Sequence, residues 1–140
     1  MKIQAASPAD AEIAVQCIVS AFEDDPITWE ELEAGVPGMS GRTAVYEQVS
    51  SLGAPDGPHY HLGVIAVAPH HQGGTIGRAL LQAFCALSAS DPASCGVYLE
   101  TATQTNLNFY EKAGFTQNHQ GAMGTETLWR LFLPQARDPA

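Results

Sequence analysis

Positive charge is scarce in this chain. Its 140 residues hold six Lys plus Arg against 15 Asp plus Glu, for a formal net charge of −9. Binding to a phosphate backbone needs clustered Lys and Arg, so nucleic acid is not an expected partner. Long apolar runs are missing too. The longest, Leu62 to Ala68, is far shorter than the ~20 residues of a membrane-spanning helix, so no membrane partner is expected. The opening MKIQAASPADAE lacks the apolar stretch of a secretory leader. Cysteine is sparse: Cys17, Cys85 and Cys95 make neither an even framework nor a CxxC pair. That suits a reducing compartment, and a cytoplasmic location is expected.

What is present fits one ordinary domain spanning residues 1–140, with 45% hydrophobic residues. A domain of this size buries roughly two thirds of its unfolded surface and can fold alone. KIQAA reads as a short first strand. Ser7-Pro8-Ala9-Asp10 reads as a helix start, with Ser7 as cap, Pro8 at the first helical position and Asp10 in the first turn. The helix should end near EDDP, because the residue before Pro26 is pushed from helical angles. ITWEELEAG suits a second short helix. From Val36 to Pro58 the pattern is weaker. RTAVYEQVSSL alternates as a strand and also repeats as a helix, and period does not separate the two.

The second half is clearer. HYHLGVIAVA reads as a strand buried on both faces, and PHHQGG as the loop after it. TIGRALLQAFCALSA reads as a helix with Ile76, Leu80, Phe84 and Leu87 in register. GVYLET reads as a second buried strand. TNLNFYEKAGF reads as a helix stopped at Gly114, with Phe115 as its hydrophobic follower. FTQNHQ and ETLWRLFL read as a terminal antiparallel pair. A buried strand-helix-strand unit implies a right-handed crossover and a parallel strand pair.

The loop HHQGGTIGRALL contains no carboxylate, although the chain is acidic. A strand, a glycine-rich loop and a helix together make an anion site. The helix N-terminus offers unpaired N–H groups and the positive end of its dipole, and glycines let a ligand approach the backbone. A tight turn that needs glycine for its angles explains the loop equally well. Neither the P-loop pattern GxxxxGK[ST] nor the dinucleotide pattern GxGxxG is present.

The loop resembles the acyl-CoA-binding signature of the GNAT N-acetyltransferases, Q/R-x-x-G-x-G/A, on Gln72, Gly73, Gly74, Thr75, Ile76 and Gly77. The later segment is similar to the same family's N-x-x-x-Y-x-x-x-G-F pattern, on Asn106, Tyr110, Gly114 and Phe115. The resemblance covers Leu62 to Phe115 closely. It implies an α+β fold of the α/β kind, a mixed central sheet with a splayed parallel strand pair flanked by helices. It implies acetyl-CoA as acyl donor, its pyrophosphate held by backbone amides from Gln72 to Arg78. The pantetheine arm would pair with the backbone of Ile65, Ala66 and Val67 and touch Asn106. Tyr110 would serve as general acid toward the departing thiolate. The acceptor would be a small-molecule amine, or a peptide or protein amine, attacking directly in a ternary complex. Glu100 and His61 are both candidates for the base.

Two departures from the family pattern stand out. Thr75 occupies a position that usually holds glycine. The region before the signature strand also lacks two convincing alternating runs, so the family's second and third strands are expected to be shortened or absent, with a homodimer partner as one way to complete the sheet. Other readings differ in class. A non-catalytic acyl-CoA-binding module is favoured by Thr75 and the short middle. A metal protein is weighed against the spacing of His59, His61, His70, His71 and His119, with His70 and His71 expected to point apart, and no metal is expected. Cysteine catalysis lacks a Cys–His motif.

Overall fold

The computed structural model describes residues 2–21, 54–123 and 126–135. The expectations for a helix at ITWEELEAG, for the end of the first helix near Pro26, and for a reduced hairpin up to residue 53 lie outside these residues. Residues 2–6, expected to form a strand, carry no strand assignment. The Asp10 carboxylate accepts from the Ser7 backbone N–H at 2.9 Å and the Ser7 hydroxyl at 3.2 Å. That anchors a 3-10 turn at Pro8–Asp10, which leads into helix α1, Ala11–Ala21.

Among the described residues a four-stranded sheet runs in the order β1-β2-β4-β3. Its strands are β1 (Tyr60–His61), β2 (Gly96–Thr101), β3 (Thr116–Met123) and β4 (Glu126–Pro134). β1 and β2 are parallel, with Tyr60 opposite Val97 and His61 opposite Tyr98. β4 runs antiparallel to both β2 and β3. Helix α2 (Ile76–Ala89) makes the crossover from β1 to β2, and helix α3 (Gln104–Lys112) follows β2.

Strand alternation divides the sheet into two faces. Val97, Leu99 and Leu131 point toward α2 and α3, where they form the core with Leu81, Leu107, Tyr110 and Phe115. Tyr98, Glu100 and Arg130 point to the other side. Within α2 the buried positions are Leu81 and Ser88, with Phe84 and Cys85 partly buried, whereas Leu87 is 59% exposed. The helix is therefore rotated from the face that Ile76, Leu80, Phe84 and Leu87 suggested. Buried Ser88 and Ser94 hydroxyls satisfy each other at 2.7 Å. Tyr60 donates to Asp91 at 3.0 Å, tying β1 to the turn after α2. That bond to a carboxylate raises the Tyr60 phenol above its usual range.

Helix α3 ends as its sequence predicts. Gly114 takes φ of +100°. Its N–H bonds Glu111 O, and the Phe115 N–H bonds Tyr110 O, both at 3.1 Å, which is the Schellman pattern. Gly96 was not singled out from sequence, yet its φ is +149°, and a Cβ there would meet Leu133 O at 2.2 Å. No side chain fits at that position.

The strand read at HYHLGVIAVA is ladder-paired only at Tyr60–His61. The Leu62 N–H still reaches Tyr98 O at 2.9 Å. Beyond it the chain continues beside β2 without exchanging backbone bonds. Residues 65–68 are only half-buried, and Val64 is 55% exposed. The apolar run that suggested a strand covered on both faces here forms one lip of an opening between parallel strands.

Candidate active site

The opening is a seam whose closed end is the Tyr60–Leu62 pairing. From Gly63 to Val67 no backbone N–H has an acceptor among the described residues. The carbonyls are partly engaged: Ala66 O lies 4.0 Å from Cys17 Sγ of α1, and Val67 O accepts from Gln72 Nε2 at 2.9 Å. Among the described residues Ile65, Ala66 and Val67 therefore carry N–H donors without an acceptor. Successive donors of an extended chain alternate in direction, so one edge of this stretch can be joined by an extended ligand as an added strand.

The seam leads to the glycine-rich loop. Pro69–His71 form a 3-10 turn, and the His70 and His71 rings lie side by side with centroids 4.1 Å apart, rather than pointing apart. Gly73 takes φ of +82°, so this one glycine is required by the backbone. A Cβ on Gly74 would meet only His71 O, at 3.8 Å, and one on Gly77 would make ordinary contacts with Val67 and Phe109 at 3.6 and 3.7 Å. The fold does not demand glycine at these two positions.

Thr75 stands at the N-cap of α2 in right-handed helical conformation, φ −99°, and its hydroxyl makes no capping bond. The first helical bond is Ala79 N–H to Thr75 O. From Gly73 to Arg78 no backbone N–H has an acceptor among the described residues. Six consecutive donors at the positive end of a 14-residue helix form an anion cradle open to solvent. Arg78 also lines a cavity of about 480 Å³ between α2 and α3. Lys112 at the end of α3 lines it as well, a contribution that the sequence patterns did not flag. Burial pushes the Cys85 thiol in this cavity above its usual range, which disfavours the thiolate.

Asn106 is half-buried in the first turn of α3, its N–H committed to Thr103 Oγ1 at 3.3 Å. Tyr110, one turn on, is 6% exposed, its ring beside those of Phe109 and Phe115. Its hydroxyl makes no hydrogen bond among the described residues. Burial pushes the phenol up to about 12.

The two base candidates meet each other. His61 Nε2 and Glu100 Oε1 are 3.2 Å apart, with the histidine side chain 46% exposed and the glutamate 10%. The His61 ring leans on Tyr98, centroids 5.2 Å apart. Tyr60 and Leu62 pack toward the core that contains Tyr110. His61, between them, faces the opposite side. The base candidates and the core that contains Tyr110 thus lie on opposite faces of the sheet.

Arg130 was missed from sequence, although it is the one basic residue of the apolar run ETLWRLFL. It lies opposite Glu100 on β2 and opposite His119 on β3. It is 0% exposed, and none of its three side-chain nitrogens has a hydrogen-bond partner among the described residues. Loss of water pushes the guanidinium below its ordinary range, opposed by the charges of Tyr98 and Glu100. No group of three or more His, Cys, Asp or Glu side chains among the described residues is arranged to hold a metal ion. No helix among them is long and apolar enough to cross a membrane.

Comparisons with known proteins agree with this architecture. The family model described as "Acetyltransferase (GNAT) domain" matches residues 39–117, more than half of the chain. The chain belongs to the GNAT acetyltransferase family. A Corynebacterium glutamicum structure described as histone acetyltransferase HPA2 and related acetyltransferase is similar at 17% identity. That alignment covers 98% of this chain and 97% of that one, with a TM-score of 0.71. Salmonella typhimurium yncA, a putative acetyltransferase solved with its cofactor acetyl-CoA, is similar at 20% identity, 100% and 96% coverage, and a TM-score of 0.61. These likenesses establish the fold. The chain spans about half the length of a third match, Arabidopsis thaliana NAA60 in complex with a bisubstrate analogue. There the identity is 15%, the coverage 54% and 49%, and the TM-score 0.49.

Proposed function

We propose that this protein is an N-acetyltransferase that moves an acetyl group from acetyl-CoA to a primary amine by direct attack. The observation that carries the reading is two runs of backbone donors without an acceptor among the described residues, Gly73 to Arg78 in the cradle and Gly63 to Val67 in the seam. A long ligand with phosphates at one end and an amide-bearing arm at the other suits both. The fit is supported by Gly74, where a Cβ would meet only His71 O at 3.8 Å and the loop backbone is left open. Gln72 through Arg78 would hold the pyrophosphate, and Ile65, Ala66, Val67 and Asn106 the arm. Arg78 and Lys112 would add positive charge beside the cradle. The yncA relative, with its acetyl-CoA, supports the same donor.

The chemistry divides between the two faces of the sheet. The amine attacks the thioester carbonyl, a C–N bond forms, and the C–S bond breaks. One proton leaves the nitrogen, toward His61 or Glu100, and one is supplied to the sulfur. Tyr110 is the donor on the sulfur side. With its phenol held near 12, it keeps its proton at neutral pH and stabilises the leaving thiolate chiefly through the hydrogen bond. Holding donor and acceptor together supplies much of the rate, and no protein nucleophile is needed.

Release of free CoA thiol from acetyl-CoA, followed with a panel of small amines and peptide amines, tests the reading. Turnover with at least one amine is expected. Tight CoA binding with no release for any amine would leave only a binding module. Tyr110→Phe is expected to lower kcat by roughly 100-fold or more, with little change in CoA affinity. The same variant has a readout independent of turnover. A phenol raised from 10.0 to about 12 in the fold contributes stability that is complete below pH 10 and lost as pH rises through the folded value. Tyr110→Phe should therefore resist unfolding between pH 10 and 12 better than the parent, as followed by circular dichroism.

A further inference from the structure

We propose that Arg130 is a specificity residue that takes the anionic group of the acceptor, so that the acceptor is a small amine carrying a carboxylate, an amino acid rather than a simple amine or a polyamine. This inference deepens the N-acetyltransferase reading and rests on it.

A buried charge is costly. A guanidinium stays protonated in proteins, and burying it is strongly unfavourable unless an opposite charge and hydrogen bonds offset it. Arg130 is 0% exposed, and its Nε, Nη1 and Nη2 have no hydrogen-bond partner among the described residues. It is also the only Lys or Arg in the four described strands. The chain as a whole carries a net charge of −9, so a positive group set into the sheet reverses the sign locally. Its planar fork of donors matches a carboxylate, which can accept two parallel hydrogen bonds from it.

Arg130 stands on the face of the sheet that carries the two base candidates. It is opposite Glu100 in register, and His61 on β1 lies two strands away. Neighbouring strands are about 4.8 Å apart, so the backbones of His61 and Arg130 are separated by roughly 10 Å. That spacing suits an acceptor whose amine and anion are a few bonds apart. Exposure falls along the row, from 46% for the His61 side chain through 10% for that of Glu100 to 0% for Arg130. The amine therefore stays at the open end, beside the groups that can take its proton, and the anion lies deeper. Arg130 is covered in the free protein, so the anion seats by displacing the packing above it. It then meets the guanidinium out of water, where a charge-assisted hydrogen bond is strongest. A monoamine offers the guanidinium nothing, and a polyamine would bring a second positive charge toward it.

Acetyl transfer from acetyl-CoA is measured with the standard L-amino acids and with their carboxamides, which keep the amine and the side chain but lose the negative charge. At least one amino acid should exceed its carboxamide in kcat/KM by roughly tenfold or more, the scale of a charge-assisted contact. Arg130→Met, which fills similar space without charge, should bring that ratio toward one, and Arg130→Lys, which keeps the charge but not the fork, should retain part of it. Thermal unfolding separates this from a structural role. Removing a buried charge that lacks a partner should leave Tm unchanged or raised, whereas loss of an arginine that holds the fold together would lower it. Should Arg130→Met not fold, Arg130→Lys carries the test, and its acid-to-carboxamide ratio should lie below the parent's. Calorimetric titration of the CoA-bound protein with the same acids and carboxamides reads the preference without turnover. Turnover of carboxamides or simple amines with no preference for the acids overturns the proposal, as does an unchanged ratio in the variant that folds. Carboxylate-dependent binding without release of CoA thiol for any amine overturns the acetyltransferase reading instead and leaves the anion site standing.

Discussion

Helices α2 and α3 each begin at a threonine, and the two threonines behave oppositely. Thr103 is extended, and its hydroxyl accepts the Asn106 N–H, closing the start of α3 with the protein's own atoms. Thr75 is already helical, its hydroxyl makes no cap, and the donors before and after it have no acceptor among the described residues. Both helices carry the same dipole. The first is finished as structure, whereas the second forgoes the ~1 kcal/mol that a cap usually gives and keeps its N-terminus available. The contrast leaves the start of α2 open for the ligand proposed above.

The largest test of that contrast places a negative charge in the open end only. Gly74→Asp should fold, since a side chain there meets nothing closer than 3.8 Å. It should weaken CoA binding by about 10- to 100-fold in calorimetry, the scale of losing a charge-assisted contact. Unchanged affinity would put the phosphates elsewhere. Next in size, Thr103→Ala removes a working cap. Thermal unfolding should show a loss of about 1 kcal/mol, a few degrees in Tm. Smallest are Thr75→Ala and Thr75→Gly. With no cap to lose and no left-handed angle to relieve, each should change stability by less than about 0.5 kcal/mol and CoA affinity by no more than about twofold. A marked tightening by Thr75→Gly would mean that the threonine crowds the cradle. Its helical φ and its exposure argue against that.

The sequence revealed the parts of this molecule governed by local rules. The Gly114 stop, the Ser7-Pro8 start, the β2 strand and the two terminal strands depend on neighbours in the chain, and each lies where its pattern placed it. The family signatures brought Gln72 to Gly77 and Asn106 to Phe115 onto the right elements. Features that depend on distant partners were hidden. Period cannot reveal that HYHLGVIAVA is paired only near its beginning, because an unpaired strand and a paired one share the same apolar pattern. The rotation of α2 goes with Leu81 sitting in the same core cluster as Val97, Leu99 and Phe115. Glycine at position 96 looks like a turn residue until Leu133 O is seen to occupy the space of its Cβ. His61 and Glu100 were read as separate alternatives. Their pairing across parallel strands, and the charge of Arg130 behind them, appear only once the register is known.

The Gln72 side chain bridges the loop to Val67 O across five residues at 2.9 Å. Through that bond the cradle and the seam form a single rigid ruler. Under the proposed function, a ligand whose phosphates have landed would deliver its arm to the seam at a high effective concentration, so that two weak contacts act as one chelate. The length of the molecule that fits would then be measured by the protein before any bond is made or broken.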